Sequence, residues 1–546
     1  MPHRREPRAL VETPGHRRKR LEASKLNAVA AISALPPEIL SHIFLFCVYA
    51  NCAEGTTLDW LAITRVTQRW RQIAMSCPEL WANIIFRRKL LPIMLARAKM
   101  VPLVMRVFLE PDKPYQPQYI LTNISKVGEL SVSGSEETLE TFFPEYVGKT
   151  CAPRLRSLSV KNTSSREAFW LDAMVFHASE RSETHPSRQL HLEKCAIPWN
   201  SPWYCNLTDL YLANLHNTQG PTITTLFSII VASPLLQNLT LINTHTQHVD
   251  HWECFFPITL PHLVTLHISE PISVCVQLLI TLTLPSIVTK DICCSPRLKK
   301  EDAWLIPSLV SHHDLSGMDL IRIEAKDSLR VKAGGYRTKK TFDLEIDHGA
   351  PPTLLKSVLQ SYSRTSFHSI TSLHIDMPLL GAWGSVTPLD CPNVKTLSLN
   401  RTDCAILFTL LLERAFRCIG VSVGANIPSQ LDQEGVCVQL FPKLECIVLQ
   451  DINCGRFGQC SYHTADILRA LLWARRAGRS PIRRVQLERC KNVSKQDLDH
   501  LAYLTDSFIW DGVGQNTKEE DGHLDLRSYS LNVFELLMRG AGLPSR

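Results

Sequence analysis

The stretch "LPPEILSHIFLFC", Leu35 to Cys47, is apolar almost throughout, and after Ile39 only Ser41 and His42 are polar. Two prolines near its start suit the first turn of a helix, where a missing N–H costs nothing. In a helix the apolar residues fall on two sides, one with Ile39, Ile43 and Phe46 and the other with Leu40, Phe44 and Cys47. Because a surface helix needs only one apolar stripe, the stretch predicts a helix that is covered on both sides.

A second apolar pattern follows in "WLAITRVTQRWRQIAMSCPELWANI", residues 60–84. Helical spacing connects Ile63, Val66, Trp70, Ile73 and Ala74, and a further turn after Pro78 carries Leu80 and Trp81. Residues 27–86 are therefore predicted to form a small helical bundle.

This bundle is small for so much apolar surface. Either all of that surface packs within the bundle and against the next domain, or one apolar face is reserved for a partner. In the second case, the face is expected to include Leu35, Pro37, Leu40 and Phe44, and these residues should be exposed in the chain alone.

Residues 87–515 carry a recurring phrase, apolar-x-x-apolar-x-apolar, often with a proline just before it. Its copies include "PRLRSLSV" (153–160), "PLLQNLTL" (234–241), "PHLVTLHI" (261–268), "CPNVKTLSL" (391–399), "FPKLECIVL" (441–449) and a weaker "CIGVSV" (418–423). Neighbouring clear copies lie 24 to 29 residues apart, a period within the range of leucine-rich repeats. In such arrays each strand and helix buries its apolar side against the next copy. The uneven spacing predicts an irregular solenoid, and an ordinary α/β domain with several similar strands is the alternative.

The residues between the core positions of each phrase are predicted to point outward onto one sheet face. They are Ser157, Ser159, Asp209, Tyr211, Asn238, Thr240, Thr265, His267, Ser372, His374, Thr396, Ser398, Arg484 and Gln486. Such a mixed polar face is typical of a protein-recognition surface and equally of any solvated strand face. Our candidates for contact with a protein client are Tyr211, His267, His374 and Arg484.

Charge and composition favour a reduced, non-membrane setting. Residues 1–26 form a basic arm in which eight Lys/Arg face three Glu, so about +2 of the net charge of +7 remains for the rest of the chain. The body thus lacks the basic field of a nucleic-acid binder. The arm contains "HRRKR" (16–20), which is either a solvated tail or a nuclear localisation patch. With no secretory signal and no apolar run long enough to cross a bilayer, we expect a cytoplasmic or nuclear protein with reduced cysteines.

Motifs for catalysis are missing from the sequence. We find neither a phosphate-binding glycine loop nor a GxSxG turn, and the 18 cysteines contain no CxxC pair. The grouping of Cys454, Cys460 and His463 is better explained as a loop with incidental thiols than as a metal site. The basic cluster "ARRAGRSPIRR" (474–484) is interpreted as a helix end followed by an edge strand. We therefore expect no enzyme activity, no cofactor and no bound metal.

The N-terminal pattern resembles an F-box. The matching residues are Leu35-Pro36-x-Glu38-Ile39-Leu40-x-x-Ile43-Phe44, Val66-x-x-x-Trp70-Arg71-x-Ile73-Ala74 and Pro78-x-Leu80-Trp81, with Thr67 where many relatives carry Cys. The resemblance extends to the large F-box families of fungi, in which the repeat part varies. It implies docking to a Skp-family adaptor, and through it to a cullin–RING ubiquitin ligase. The residues implied to meet the adaptor are Leu35, Pro36, Pro37, Ile39, Leu40, Ile43 and Phe44, and Val66, Trp70, Ile73 and Trp81 are implied to be shared with the bundle core.

Together these patterns predict an α/β protein with a small N-terminal helical F-box bundle (27–86), an irregular leucine-rich-repeat solenoid (87–515), and a cap or tail at 516–546. The function predicted is that of a non-catalytic substrate receptor of a Skp–cullin–F-box ubiquitin ligase. The alternative is a scaffold without a ligase, in which the bundle only caps the solenoid.

Overall fold

The chain divides into two units, Met1–Leu207 and Thr208–Arg546. A computed structural model describes residues 18, 22, 31–52, 59–84, 90–109, 123–143, 154–164, 169–171, 188–215, 220–244, 256–285, 288–294, 304–305, 308–309, 320–325, 329–334, 341–346, 368–376, 391–401, 407–408, 411–412, 415, 441–454 and 464–513. The predicted basic arm, apart from Arg18 and Glu22, lies outside these residues, as do the weak repeat at 418–423 and the predicted cap or tail at 516–546.

The first unit begins with a helical bundle. Its elements are a 3-10 helix Ala31–Ala34, α1 Pro37–Cys52, a 3-10 helix Asp59–Ala62, α2 Ile63–Val66, α3 Gln68–Ser76 and α4 Pro78–Trp81. Helix α1 begins at a proline, with Glu38 in its first turn, where a carboxylate complements the positive end of the helix dipole. The sequence therefore predicted both the helix and its start.

The helix predicted across residues 63–74 is broken at Thr67. This residue has an extended backbone, and its side-chain oxygen accepts a hydrogen bond of 3.0 Å from the Trp70 N–H, which makes it the N-cap of α3. Helical spacing alone therefore failed here, because a threonine that caps the next helix ended the preceding one.

Aromatic side chains form the centre of the bundle. The rings of Phe44 and Trp70 lie 5.0 Å apart, and those of Trp60 and Trp81 meet edge to face at 5.2 Å. The indole N–H of Trp81 donates to the Ala74 carbonyl oxygen over 2.8 Å. The bundle thus has a packed interior of its own.

A parallel sheet follows directly in the same unit. The elements are β1 Asn83–Ile84, α5 Leu91–Ala98, β2 Leu103–Phe108, a 3-10 helix Ile124–Lys126, β3 Val127–Gly134, α6 Glu136–Phe142, β4 Ser157–Asn162, β5 Phe169–Trp170, β6 Arg188–Glu193, β7 Cys195–Ala196 and a 3-10 helix Pro202–Tyr204. The parallel order is β1-β2-β3-β4-β6, while β5 and β7 form a separate parallel pair.

The second unit repeats this architecture. Its elements are β8 Leu207–Ala213, whose first residue belongs to the first unit, α7 Ile223–Val231, β9 Asn238–Ile242, β10 Ile258–Thr259, β11 Thr265–Glu270, α8 Ile272–Thr281, β12 Leu282–Thr283, β13 Thr289–Cys294, β14 Leu320–Ala325, β15 Leu329–Gly334, β16 Thr341–Ile346, β17 Ser372–Asp376, β18 Thr396–Asn400, β19 Cys446–Gln450, α9 Thr464–Ala477, β20 Arg484–Glu488, α10 Lys495–Leu504 and β21 Ser507–Trp510.

Strands of the second unit pair in the order β8-β9-β11-β13-β16-β15-β14-β17-β18-β19-β20-β21. All pairs are parallel except the two that involve β15. The links around β15 span only 326–328 and 335–340. A parallel crossover needs about a dozen residues or more, so these short links force β15 to run antiparallel. The array therefore contains a meander that the repeat period did not predict.

The recurring phrase occupies the strands, with its core positions inside. Leu158, Leu239, Leu266, Leu397 and Ile447 are all buried, and the residues between them are half-buried. Large parallel sheets are thus present, with the predicted alternation of sides.

Several strands end in a residue with a left-handed backbone, a feature that we did not predict. Asn214, Asn243, Arg401, Asp451 and Arg489 each follow a strand directly and have positive φ. Asn and Asp are the residues that tolerate this conformation best. The signal available in the sequence was an Asn or Asp directly after three of these strands, β8, β9 and β19.

Glu270, the last residue of β11, is completely buried. Its Oε1 accepts hydrogen bonds of 2.6 Å from both the N–H and the hydroxyl of Thr244, while Oε2 has no hydrogen-bond partner among the described residues. Burial raises the pKa of this carboxyl above its ordinary value of 4.5, although the two bonds from Thr244 lower it in part. Folding therefore favours the neutral form of this acid relative to the unfolded chain.

Glu270→Gln is expected to stabilise the protein increasingly as pH rises. A raised pKa means that the stabilisation by the neutral acid is complete below the unfolded pKa and is lost as pH rises through the folded pKa. In that window the free energy of unfolding of the wild type should fall relative to the variant, by at most about 1.4 kcal/mol per pH unit. Urea unfolding from pH 4.5 to 7.5 measures this difference, with the exposed Glu445→Gln as control. Parallel stability curves for wild type and Glu270→Gln would show the account of Glu270 to be wrong.

Candidate functional site

The two apolar sides of α1 have opposite environments. Leu40 and Phe44 are 0% and 1% exposed, whereas Ile39 and Phe46 are 46% and 74% exposed. Ile43, which lies between them on the outer side, is half-buried. The expectation that Leu40 and Phe44 are exposed in the chain alone is therefore wrong, because both fill the interior of the bundle.

Packing within the bundle explains which side is buried. Helix α1 contacts α3, α4 and the 3-10 helix Asp59–Ala62, and its buried residues Leu40, Phe44 and Val48 follow one another at four-residue spacing on one side. The ring of Phe44 meets that of Trp70 on this side. The outer side carries Ile39, Ile43 and Phe46 at positions i, i+4 and i+7, a spacing that forms one stripe on a helix. We call these three residues the outer stripe.

Other apolar side chains of the bundle are also exposed. They are Ile32, Val66 and Met75. Val66 is the last residue of α2, just before the break at Thr67, and its outward position follows from that break. Scattered exposed apolar residues are ordinary on a protein surface, whereas large contiguous apolar patches often mark interaction sites, which makes the outer stripe a candidate.

The remaining residues predicted to meet an adaptor fall into three environments. Pro36 and Pro37 are exposed, Leu35 and Trp70 are half-buried, and Ile73 and Trp81 are buried. The Arg69 guanidinium donates to the Leu35 carbonyl oxygen over 2.6 Å and ties the start of α1 to α3. The core position of Trp81 is reinforced by Arg97, whose guanidinium carbon lies 4.2 Å from the ring centroid.

Sequence reasoning grouped Phe46 with Ile39 and Ile43 on one side of the helix but left it out of the adaptor residues, and it did not identify Ile32 or Met75. The available signal for Phe46 was its spacing from Ile39 and Ile43. Only the position of the rest of the bundle shows which of the two stripes stays open.

A second candidate surface is the polar sheet face of the second unit. One row in register across β8, β9, β11, β13, β16, β15, β14, β17, β18, β19, β20 and β21 contains Tyr211, Thr240, His267, Asp291, Asp343, Lys332, Arg322, His374, Ser398, Val448, Gln486 and Ile509. Three of the four client candidates lie in this row. Arg484 lies two residues before Gln486 on the same face.

Cross-strand contacts fix many side chains of this row. His267 Nδ1 lies 2.8 Å from Asp291 Oδ2, and His374 Nδ1 lies 2.9 Å from the Ser398 hydroxyl. Hydrogen bonding to His267 is the main reason that the pKa of Asp291 is lowered, although burial opposes it. Arg330 makes a two-pronged ion pair with Asp343, with its shortest contact at 2.6 Å. The face therefore presents preorganised polar groups, which suit recognition of another protein.

The first unit has a shorter row of the same kind. Arg106, Ser131, Ser159 and His191 lie in register on β2, β3, β4 and β6. Ser159 belongs to the predicted outward set and is half-buried, as a residue on a sheet face should be.

The structure of the basic cluster at 474–484 differs in part from the predicted helix end and edge strand. Helix α9 ends at Ala477, as expected, and Arg475 is buried with its guanidinium donating to the Phe441 carbonyl oxygen over 2.8 Å. However, β20 pairs with both β19 and β21, so it is an inner strand and not an edge strand.

Within the described part of the chain, no three His, Cys, Asp or Glu side chains are grouped as metal ligands. Cys460 and His463 of the grouping considered above lie outside it, and Cys454 is buried beside Cys490, with which it shares a hydrogen bond. No described helix has the length and hydropathy of a membrane span.

Comparison with known families gives a match for the helical bundle. Residues 32–87 match the F-box-like family model. This range contains α1 to α4 and β1, and it includes the outer stripe. No curated protein matches the chain. The N-terminal region is thus an F-box-like domain, which suggests an adaptor-binding role in ligases of the Skp–cullin–F-box type, since F-box domains typically bind Skp-family adaptors.

Proposed function

We propose that this chain is the substrate-recognition subunit of a Skp–cullin–F-box ubiquitin ligase. The F-box-like domain docks a Skp-family adaptor, and the polar sheet face, formed by leucine-rich-repeat-like copies, binds a protein client. The observation that carries the proposal is the outer stripe of α1, in which Ile39 and Phe46 are exposed on a domain that matches the F-box-like family.

The chemistry of the stripe supports adaptor docking. Ile39 and Phe46 keep roughly half or more of their surface in water although the bundle has its own closed core. Removing apolar surface from water contributes about 25 cal/mol per Å², so a partner that covers this stripe gains binding energy without any rearrangement of the bundle. Exposed polar residues such as Glu38 and His42 border the stripe on the same helix, as at the rim of a typical interface.

The polar sheet face supports client binding. Its side chains are fixed by cross-strand contacts, including those of His267 and His374. Fixed side chains lose little conformational entropy on binding. Tyrosine and arginine are enriched at binding hot spots, which favours Tyr211 and Arg484 among the four candidates.

The mechanism is proximity. The chain supplies binding energy and geometry but no nucleophile, and the ligase attached to the adaptor delivers ubiquitin to a client lysine at raised effective concentration. We accordingly propose a chain without enzyme activity of its own that acts in the cytoplasm or nucleus.

One observation favours the alternative of a scaffold without a ligase. Strand β1 lies within the F-box-like range and pairs in parallel with β2, and Val104 N–H also donates to the Ala82 carbonyl oxygen over 2.9 Å. The domain thereby closes one edge of the first sheet, as a cap does. Capping alone does not require the outer stripe, and this difference separates the two functions.

Proximity labelling in cells tests the proposal. The wild-type chain fused to a labelling enzyme is expected to mark a Skp-family adaptor, a cullin and a set of clients. The variant with Tyr211→Ala, His267→Ala, His374→Ala and Arg484→Ala should still mark the adaptor and cullin but lose most of the clients. A wild-type chain that marks neither adaptor nor cullin would support the scaffold instead.

A further inference from the structure

Four exposed arginines lie close together at one edge of the second unit. Helix α9 ends at Ala477 and β20 begins at Arg484, so the link 478–483 joins the end of the helix to the start of the strand. The arginines lie on the last turn of the helix, in the link and at the first residue of the strand. They are Arg476, Arg479, Arg483 and Arg484, and we call them the arginine edge.

The charge of the arginine edge is not neutralised by the described residues. Elsewhere in the second unit, arginines that make an ion pair with an aspartate include Arg330, Arg401, Arg469 and Arg489. Within the described residues, no arginine of the edge makes an ion pair. Arg476 donates to the Tyr503 carbonyl oxygen over 3.5 Å, and Arg484 donates to Gln486 Oε1 over 3.1 Å. Because like charges repel one another, the edge keeps a local excess of positive charge.

Two acidic residues neighbour the arginine edge through their backbones. The Glu445 carbonyl oxygen accepts hydrogen bonds of 2.8 and 3.0 Å from the N–H groups of Arg483 and Arg484. The Asp506 N–H donates to the Arg483 carbonyl oxygen over 2.8 Å. Both acidic residues are exposed, and within the described residues neither carboxylate pairs with the edge. The positive charge is therefore interrupted and does not form one long track.

Exposed aromatic side chains flank the arginine edge. Trp473 precedes Arg476 by three residues on α9, so the two residues share one side of the helix. Trp473 is 41% exposed, and Tyr503, whose carbonyl oxygen accepts from Arg476, is 81% exposed. Arginine, tryptophan and tyrosine are the residues most enriched at binding hot spots between proteins. The composition of this surface therefore favours a protein partner.

We propose that the arginine edge binds an acidic segment of the protein client. The proposal rests on the proposed function and gives the client a chemical class, a segment with several Asp or Glu residues. Each planar guanidinium can hold one carboxylate through two parallel hydrogen bonds. Arg484 also joins the edge to the polar sheet face, on which it is a client candidate. The edge therefore extends the client surface from the sheet face to the end of α9.

The distribution of charge explains why a protein segment, and not a nucleic acid, is the occupant. A nucleic acid carries a phosphate at every nucleotide and is bound by an extended basic track. At this surface Glu445 and Asp506 interrupt the positive charge, and the chain outside residues 1–26 carries only about +2 of the net charge of +7. The separate carboxylates of a peptide can reach the arginines singly and avoid both acidic residues.

Fluorescence anisotropy with the purified full-length chain tests the proposal. The probe is a labelled peptide of alternating Glu and Ser, which should bind at least about tenfold more tightly than the same peptide with Gln for Glu. Arg479→Glu plus Arg483→Glu should weaken binding of the Glu peptide by at least about tenfold, because repulsion replaces attraction. Neither side chain makes a hydrogen bond among the described residues, so the free energy of unfolding should stay nearly unchanged.

A matched control exists in the first unit. Lys126 and Arg156 are exposed, and Lys126→Glu plus Arg156→Glu changes the net charge by the same amount. This control should bind the Glu peptide like the wild type. Equal losses in the two double variants would overturn the proposal, because the loss would then follow from net charge alone. Tighter binding of a thymidine oligonucleotide of equal charge than of the Glu peptide would also overturn it and assign the edge to a nucleic acid.

Proximity labelling in cells separates this proposal from the proposed function. The chain with Arg479→Glu plus Arg483→Glu should still mark the adaptor and the cullin but lose its clients. Retention of the clients by this variant would overturn the proposal. A wild-type chain that binds the Glu peptide but marks neither adaptor nor cullin would contradict the ligase function and still support recognition of acidic segments at the edge.

Discussion

Replacing Ile39 and Phe46 with aspartate is expected to abolish capture of a Skp-family adaptor while leaving the free energy of unfolding nearly unchanged. Both side chains lie on the exposed side of α1, so their removal creates no cavity in the bundle. At an interface, each buried apolar anchor contributes about 2 kcal/mol or more, and a charge placed there must be desolvated. Affinity should therefore fall by at least about 100-fold. Titration of immobilised full-length chain with purified adaptor measures the loss.

A matched control exists in the same unit. Ile93 and Met100 are 44% and 68% exposed, close to the 46% and 74% of Ile39 and Phe46, and lie outside the F-box-like range. Ile93→Asp plus Met100→Asp should bind the adaptor like the wild type. Equal binding by the wild type and by both double variants would contradict docking through the outer stripe.

Shortening a residue on the inner side of the same helix is expected to lower the free energy of unfolding, unlike the substitutions on the outer side. Phe44 is 1% exposed and packs against Trp70, so Phe44→Ala should destabilise the bundle by about 3–5 kcal/mol. Leu40→Ala, at a fully buried position, should cost about 2–5 kcal/mol. Urea unfolding followed by tryptophan fluorescence measures both changes.

Phe46→Ala on the outer side serves as the control for these stability changes. Its cost should stay within about 0.5 kcal/mol, as for most surface substitutions. If Phe46→Ala destabilised the protein as much as Phe44→Ala, the assignment of the inner and outer sides of α1 would be wrong. The comparison also shows why aspartate at Leu40 or Phe44 is a poor test of adaptor binding. Either substitution would unfold the bundle, and unfolding alone would abolish binding.

The sequence predicted the presence of two apolar sides on α1 but assigned the wrong side to the surface. Both sides carry large aliphatic and aromatic residues, so composition does not distinguish them. The choice depends on where Trp70 lies, and the position of Trp70 depends on the break at Thr67. Long-range packing of this kind is not contained in the periodicity of one helix.

The repeat phrase was a better guide, because strand alternation is local. Every predicted outward residue, from Ser157 to Gln486, lies on the partly exposed side of its strand. The meander around β15 was missed because repeat spacing was the only signal considered, although the short links before and after that strand contained the information.

The most direct test of the account is hydroxyl-radical footprinting of the full-length chain with and without a saturating Skp-family adaptor. The account predicts that Phe46 is strongly oxidised in the chain alone and protected in the complex, while Phe44 is unreactive in both states. Oxidation of Phe46 that is unchanged by the adaptor, or that is already suppressed in the chain alone, would contradict the claim that the outer stripe is an open adaptor-docking surface.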